Sequence, residues 1–393
     1  MRKTIEKALD YVFNKLYYEP TGLIYDVLTS YENDGNICDL PTPEEIALQI
    51  PNPCGWNTGM EDSMISAGQV LEAVINCYEK TKDSNMKLYA KKLLKGIKLC
   101  IEVSGVRGFL ARSVSPVDGK SYYFNSSRDQ YTHCVYGLLK YYNSDMCDNE
   151  EKVWISKALV DFAERAHADI TTENNYAILR SDCKESLVCT MFGDDVDCHE
   201  SLRLHMIYMA AYVVSCDEKW YNYYKDIRDW GIEKAFLMNK RIEFTFLMQM
   251  QLSVRLLYDY ESDDKYKLKY LELLEFVADK SDDTIIKYAD SIDDYKESIE
   301  MLMPKWRDLN CWYMYGKPFG DMPYYRPEKP DDCWDGYKCL RQVANEIAIQ
   351  AICPNRSVSD YQLKAFEKVL KSIDFSKYAS HTVCHFIEAY WLL

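Results

Sequence analysis

The sequence predicts an all-α fold in which six helical hairpins close into a ring, an (α/α)6 toroid, and three observations lead there. Apolar residues recur at helical spacing through most of the 393 residues, while no stretch sustains the period-two alternation of a half-buried strand. Helices with one wet face alternate along the chain with helices that are apolar nearly all round. The long connections fall just before the apolar helices, at 19–59, 104–126, 169–198 and 304–335. Loops of that length are uncommon in compact domains unless they carry function.

Residues 2–18 set Ile5, Leu9, Val12, Phe13 and Leu16 on one stripe, which predicts a helix lying on a core with its other face in water. Further helices are predicted over 60–80, 85–103, 127–143, 149–168, 199–216, 218–237, 243–259, 263–280, 336–353, 359–373 and 380–392. The segment 85–103 carries Lys87, Lys91, Lys92, Lys95 and Lys98, and 263–280 carries Asp263, Lys265, Lys267 and Lys269, as an outer layer requires. By contrast 199–216 contains Leu202, Leu204, Met206, Ile207, Met209, Ala210, Ala211 and Val213, the composition of a helix buried on every side. Counting the first helix as wet gives six outer and six inner helices, a hairpin repeat of about 60 residues. In a closed ring all inner helices run the same way, so their N-terminal ends and the long loops before them meet at one mouth. Segment 281–303 does not fit the repeat and reads as an inserted helix. No Gly/Ser-rich or Pro-rich linker interrupts the pattern, so residues 1–393 are expected to form one domain.

A hydrophobic content of 48% with 14% aromatic residues excludes disorder. No apolar run reaches the roughly 18 residues of a membrane span, so no membrane partner is expected. The formal charge of −15 argues against a nucleic-acid partner, because binding phosphate demands a basic surface. Met1-Arg2-Lys3-Thr4-Ile5-Glu6 leads straight into a helix without an apolar signal core, and the expected location is cytoplasmic. The 15 cysteines are odd in number and include Cys77, Cys100, Cys134 and Cys216 within helical patterns, which suits reduced thiols.

The chemistry is expected at the helix starts. Two stretches, Cys54 to Ser63 and Asn125 to His133, deliver carboxylates from a polar loop onto the first turn of an apolar helix: Glu61 and Asp62 in one, Asp129 in the other. A helix start offers unpaired N–H groups and a positive dipole end, which hold acidic side chains ionised. The remaining inner helices begin with His199, Glu200 and Arg203, with Arg241 and Glu243, with Trp334 and Asp335, and with His381 and His385. Asp129 and His133 are four residues apart and share a helix face, as do His199 and Arg203, and His381 and His385, and a carboxylate beside a histidine can tune a proton-transfer group. Asp129 is the expected acid/base, its pKa raised by burial or neighbouring carboxylates. Aromatic residues in the loops, among them Trp56, Trp312 and Trp334, together with Tyr131 on the helix, suit the C–H faces of pyranose rings. The stretch 304–335 is expected to form a lid or wall of the cleft. His199 and His381 are further candidates for binding substrate, and Arg128, Arg203 and Arg241 could hold a uronate carboxylate bidentately. The doublets Cys198-His199 and Cys384-His385 lack the glycine-rich surroundings of the lanthionine-cyclase zinc site. There is no Walker A loop, dinucleotide fingerprint, HExxH or GxSxG motif. Neither a metal nor another cofactor is expected.

Gly59-Met60-Glu61-Asp62 opening one inner helix, and Arg128-Asp129-Gln130-Tyr131 opening the next, resemble the six-hairpin glycosidase superfamily, above all the unsaturated glucuronyl and rhamnogalacturonyl hydrolases. The first motif reads Glu-Asp where those families more usually have Asp-Asp followed by an aromatic residue. The resemblance implies the toroid and assigns action on the sugar to Asp62 and Asp129. The N-acylglucosamine epimerase relatives share the toroid and use paired histidines, parts that would fall to His199 and to His381 or His385. The expectation is therefore a glycoside hydrolase acting on an oligosaccharide, uronate-containing or not. One alternative is a lyase or epimerase with His133, His199 or a tyrosine as base; another is a non-catalytic sugar-binding toroid.

Overall fold

The computed structural model describes residues 1–393 apart from 31–38, 187, 282–284, 304, 309–310, 314–324, 328–330 and 379, and describes the backbone alone at 287, 298, 311–313, 325–327, 331–335, 337–338 and 376. In chain order, α1 (Arg2–Tyr11) runs on into a π turn, and the antiparallel pair β1 (Tyr17–Tyr18) and β2 (Leu23–Ile24) follows. Then come α2 (Pro43–Ala47), α3 (Ser63–Thr81), α4 (Asn85–Glu102), α5 (Arg128–Tyr142), α6 (Asn149–Asp169), α7 (Arg203–Ser215), α8 (Glu218–Phe236), α9 (Phe244–Tyr260) and α10 (Asp264–Lys280). The chain continues through α11 (Ile285–Asp290), α12 (Lys296–Ile299), the pair β3 (Cys311–Tyr313) and β4 (Tyr325–Pro327), α13 (Asp331–Ile352), α14 (Asp360–Ser372) and α15 (Val383–Leu392).

Six of these close the ring. Helix α3 packs on α5, α5 on α7, α7 on α9, α9 on α13, α13 on α15, and α15 returns to α3. Helices α4, α6, α8, α10 and α14 pack outside, and α1 covers α15. Burial follows the sequence pattern: α3 buries every residue from Ser63 to Cys77, whereas α4 buries a stripe of Met86, Ala90, Leu93, Leu94, Ile97 and Cys100 and turns its lysines outward. Short connections at 82–84, 143–148, 216–217, 261–263 and 353–359 join inner helices to outer ones at one end of the ring. The longer segments approach the inner helices from the other end, the mouth.

A close approach within the ring uses glycine. A Cβ on Gly68 of α3 would lie 2.4 Å from the His133 carbonyl oxygen of α5, and one on Gly137 would lie 3.3 Å from Gly68 Cα. The two helices that carry the expected carboxylates are thus held at backbone distance, where any side chain would push them apart.

Several boundaries differ from expectation. Helix α7 starts at Arg203 rather than 199, and α15 at Val383 rather than 380. The residues in front form tight turns, so His199 and Arg203, or His381 and His385, do not share one helix face. The described part of segment 281–303 forms two short helices with a 3-10 turn between them, packed against α13 and α14, rather than one inserted helix. The aromatic stretch 304–335 includes the β3/β4 pair and the start of α13; most of what was expected to be a lid lies outside the described residues. Every described cysteine is a free thiol. No described helix is long and apolar enough to cross a membrane.

Candidate active site

The mouth is built around the start of α3. Asp26, just after β2, is 3% exposed and accepts hydrogen bonds from the backbone N–H of Glu61 at 2.6 Å and of Asp62 at 3.0 Å. Asp26 therefore satisfies the N–H groups before the helix, and the Asp62 side chain makes no capping bond. The Asp62 carboxylate instead accepts from Gln130 Nε2 at 2.9 Å and from Arg112 Nη2 at 3.2 Å. Arg112 Nε and Gln130 Nε2 also donate to the Glu61 carbonyl, at 2.8 and 3.0 Å. Glu61 turns its side chain back to the Asn57 N–H in the preceding loop.

Helix α5 repeats the division of labour. Ser127 caps it, accepting from Gln130 N at 3.4 Å, which leaves Asp129 in the first turn without a capping duty. The Asp129 carboxylate is paired with Arg203 at the start of α7, whose other Nη donates to Gln249 Oε1 of α9 at 2.7 Å. Beside them Arg128 joins Glu200 at 2.7 Å and donates to the Thr190 carbonyl at 3.0 Å. The Asp62 and Asp129 side chains are 20% and 30% exposed, so both carboxylates keep some access to solvent.

These surroundings drive the two carboxyls apart electrostatically. Burial and the neighbouring Glu61 carboxyl raise Asp62 above the usual carboxylate range, against the opposing pull of Arg112 and His381. Burial also acts to raise Asp129, but Arg203, with Arg128 and Arg112, outweighs it and holds that carboxyl below the usual range. The expectation of a raised Asp129 is overturned for this reason: its partner is a guanidinium 74 residues along the chain. Asp26 is held well above its ordinary value by burial and the charges of Asp62 and Glu61, and Glu200 is raised by burial.

The histidines divide by depth. His381 meets Asp26: its backbone N donates to the Asp26 carbonyl at 2.7 Å and its Nδ1 lies 2.8 Å from the same oxygen. A carbonyl only accepts, so Nδ1 carries the proton and Nε2 keeps its lone pair. Burial lowers His381, and lowers His199 to about 4 with help from the Arg203 charge, so both are neutral bases near pH 7. His133 lies one turn below Asp129, 2% exposed, its Nε2 without a partner and its pKa lowered to about 3 by burial. The structure pairs Asp129 with Arg203 and not with His133. His385 is deeper in the ring, with Nδ1 at 2.7 Å from Gln69 Nε2 and 2.9 Å from Asn345 Oδ1.

The aromatic candidates fare unequally. Trp56 is half-buried in the loop before α3, near Cys54 and Val188. Tyr131 is not at the mouth: it is 1% exposed, its ring meets Phe162 of α6 at 5.2 Å, and its hydroxyl donates to the Gly108 carbonyl and accepts from Leu110 N. Both its polar capacities are consumed inside the wall, which corrects its assignment to substrate. Trp312 is in β3 and Trp334 in the first turn of α13, and their side chains lie outside the described residues. Arg241 is exposed.

Asp26, Arg112, Gln249 and Arg341 were missed by sequence reasoning. Arg341 of α13 forms a single 3.6 Å ion pair with Glu243 and leaves a buried Nε without a partner. Its charge acts on both His381 and His385, which sets it on their side of the ring. Asp197, His199 and Glu200 bring one potential ligand atom each within 4.8 Å of one another. Arg128 on Glu200 and Lys240, 3.7 Å from Asp197, already supply the positive charge a cation would bring there.

No family model matches the chain, and no curated protein matches it. Among solved structures it is similar to cellobiose 2-epimerase from Bacillus thermoamylovorans B4167, with 11% identity, a TM-score of 0.51 and coverage of 100% of this chain and 99% of that chain. It also matches the GH76A alpha-1,6-mannanase from Salegentibacter sp. HEL1_6, with 11% identity, a TM-score of 0.48 and 99% and 98% coverage. A third match is a D-mannose isomerase, with 11% identity, a TM-score of 0.47 and 100% and 96% coverage. The likeness to the epimerase extends over the full ring and shows a shared (α/α)6 toroid fold.

Proposed function

We propose that this protein is a carbohydrate-active enzyme and that its mouth hydrolyses glycosidic bonds. The observation that carries this reading is the opposed electrostatics of Asp62 and Asp129, one carboxyl raised and the other lowered at neighbouring helix starts. Glycoside hydrolysis needs one carboxyl that keeps its proton and one that does not. Asp62 then donates its proton to the leaving glycosidic oxygen. Asp129, kept ionised by Arg203, faces the positive charge that develops at the anomeric carbon, as base or nucleophile. Gln130 and Arg112 fix the Asp62 carboxyl.

Arg128 and Arg203 are bound to Glu200 and Asp129 and are not free to hold a uronate. A neutral oligosaccharide therefore fits the mouth better, and for a uronate Arg341 keeps donors to spare. A second reading, proton abstraction from a sugar by an epimerase or isomerase, is favoured by the His381 Nε2 lone pair beside Asp62.

Turnover of a panel of neutral and uronate oligosaccharides by wild type, Asp62→Asn and His381→Ala separates the readings. Hydrolysis predicts a loss of about 10²–10⁴-fold in Asp62→Asn and retained turnover in His381→Ala. The reverse pattern supports proton abstraction, and saturable binding with no turnover across the panel supports a non-catalytic toroid.

A further inference from the structure

The opposite end of the ring holds a cavity of about 330 Å³ among the C-terminal turns of α3, α5, α9, α13 and α15. Three cationic side chains line it, Lys80 from α3, Lys140 from α5 and Arg255 from α9, together with the Asn76 amide and the rings of Tyr136 and Trp391. Helix ends of this polarity attract cations, and part of each head group is used that way. Lys80 Nζ donates to the Trp391 carbonyl at 3.0 Å, and Arg255 Nη1 to the Ile352 carbonyl at 2.8 Å. Capping consumes only one donor of each. Lys140 makes one bond, to the buried Glu72 at 2.9 Å. Arg255 spends Nε on Asp259. Asn76 is 8% exposed and its Nδ2 has no acceptor.

Lys140 is ion-paired with Glu72 and Arg255 with Asp259, and Glu79 also lines the cavity, so the donors left over are those of Lys80, the remaining ones of Lys140 and the unpaired Asn76 Nδ2. A buried donor left unpaired is costly, and at Asn76 Nδ2 a bound group rich in acceptor oxygens would relieve it while meeting the solvent-facing ammonium groups of Lys80 and Lys140. The Lys80 and Lys140 charges also interact, and together with burial this pushes Lys80 below its ordinary value, a repulsion that an anion would reverse. The rings supply apolar faces for the body of a small organic ligand, and the volume lies in the range of small-molecule pockets.

We propose that this rear cavity binds a phosphate monoester on a small polyhydroxylated body, such as a sugar phosphate, at a site separate from the catalytic mouth. The phosphate oxygens take the spare donors of Lys80, Lys140 and Asn76, and the sugar lies against Tyr136 and Trp391. Neither the occupant nor the site depends on the reaction at the mouth.

Isothermal titration of the full chain with glucose 6-phosphate, inorganic phosphate and glucose tests this. The expected result is saturable binding of the ester, weaker binding of inorganic phosphate and none of glucose. Lys80→Ala, an exposed position whose loss leaves the fold intact, should weaken the ester at least tenfold, and Asp62→Asn should leave it unchanged. A crystal soaked with the ester should show phosphate between Lys80 and Lys140. No saturable binding up to 10 mM ester, glucose binding as tightly as the ester, inorganic phosphate binding as tightly as the ester, or an affinity unchanged by Lys80→Ala would overturn the proposal and leave the cations as helix caps.

Discussion

Arg203 determines what Asp129 can do. Its guanidinium keeps the carboxyl ionised below the usual range, so Arg203→Met should raise the Asp129 pKa. A base acts when deprotonated, so the acid limb of the kcat/KM profile should move to higher pH in that variant; an unmoved limb would detach Asp129 from the chemistry. Glu388 provides a test that needs no substrate. It is fully buried, accepts from Gln69 Nε2 at 2.9 Å, and is held well above 4.5 by burial and by the Glu72 charge. Folded, it keeps its proton to a higher pH than when unfolded. The native state then binds more protons, and stability falls as pH rises above the unfolded value. Glu388→Gln should gain on wild type in urea unfolding between pH 5 and pH 8, whereas a constant difference would mean that folding does not raise the Glu388 pKa. Sequence placed Asp62 and Asp129 at successive helix starts but could not give their partners, because Arg203 and Asp26 reach them from distant segments. Tyr131 was misread for a related reason: helical spacing shows that it is near Asp129 but not that it turns into the wall, toward Phe162.

Helix α3 meets α5 through Gly68, and that contact sets the distance between the two carboxylate-bearing starts. Gly68→Ala should cost about 1–3 kcal/mol in urea unfolding, since its Cβ meets backbone rather than a movable side-chain end. Inner and outer helices were legible because burial on all sides and burial on one side leave different patterns, as α7 and α4 illustrate. The starts of α7 and α15 were not. In Cys198–Glu200 a 3-10 turn precedes the helix with the same residue types that a first turn would carry, and periodicity cannot distinguish the two. The β1/β2 and β3/β4 pairs, two or three residues per strand, are too short for alternation to register.

At the scale of the whole molecule, a ring of parallel helices has two unlike ends. N-terminal ends gather at one mouth with Asp26, Glu61, Asp62, Asp129 and Glu200, and C-terminal ends gather at the other with Lys80, Lys140 and Arg255. The dipoles favour acids at the helix starts and bases at the helix ends, although each end also pairs them with opposite charges, Arg112, Arg128 and Arg203 at the mouth and Glu72, Glu79 and Asp259 at the rear. The long segments before α3, α5 and α7 made the mouth legible, while the rear cavity left no signal because its residues come from five helices. A crystal structure of Asp62→Asn with an oligosaccharide that the wild type cleaves is the most direct test of the catalytic reading. A glycosidic oxygen within hydrogen-bond reach of residue 62, with Asp129 at the adjoining anomeric carbon, is the expected result. A sugar seated elsewhere on the ring, or at the mouth with its bond facing His381 and away from both aspartates, would contradict it.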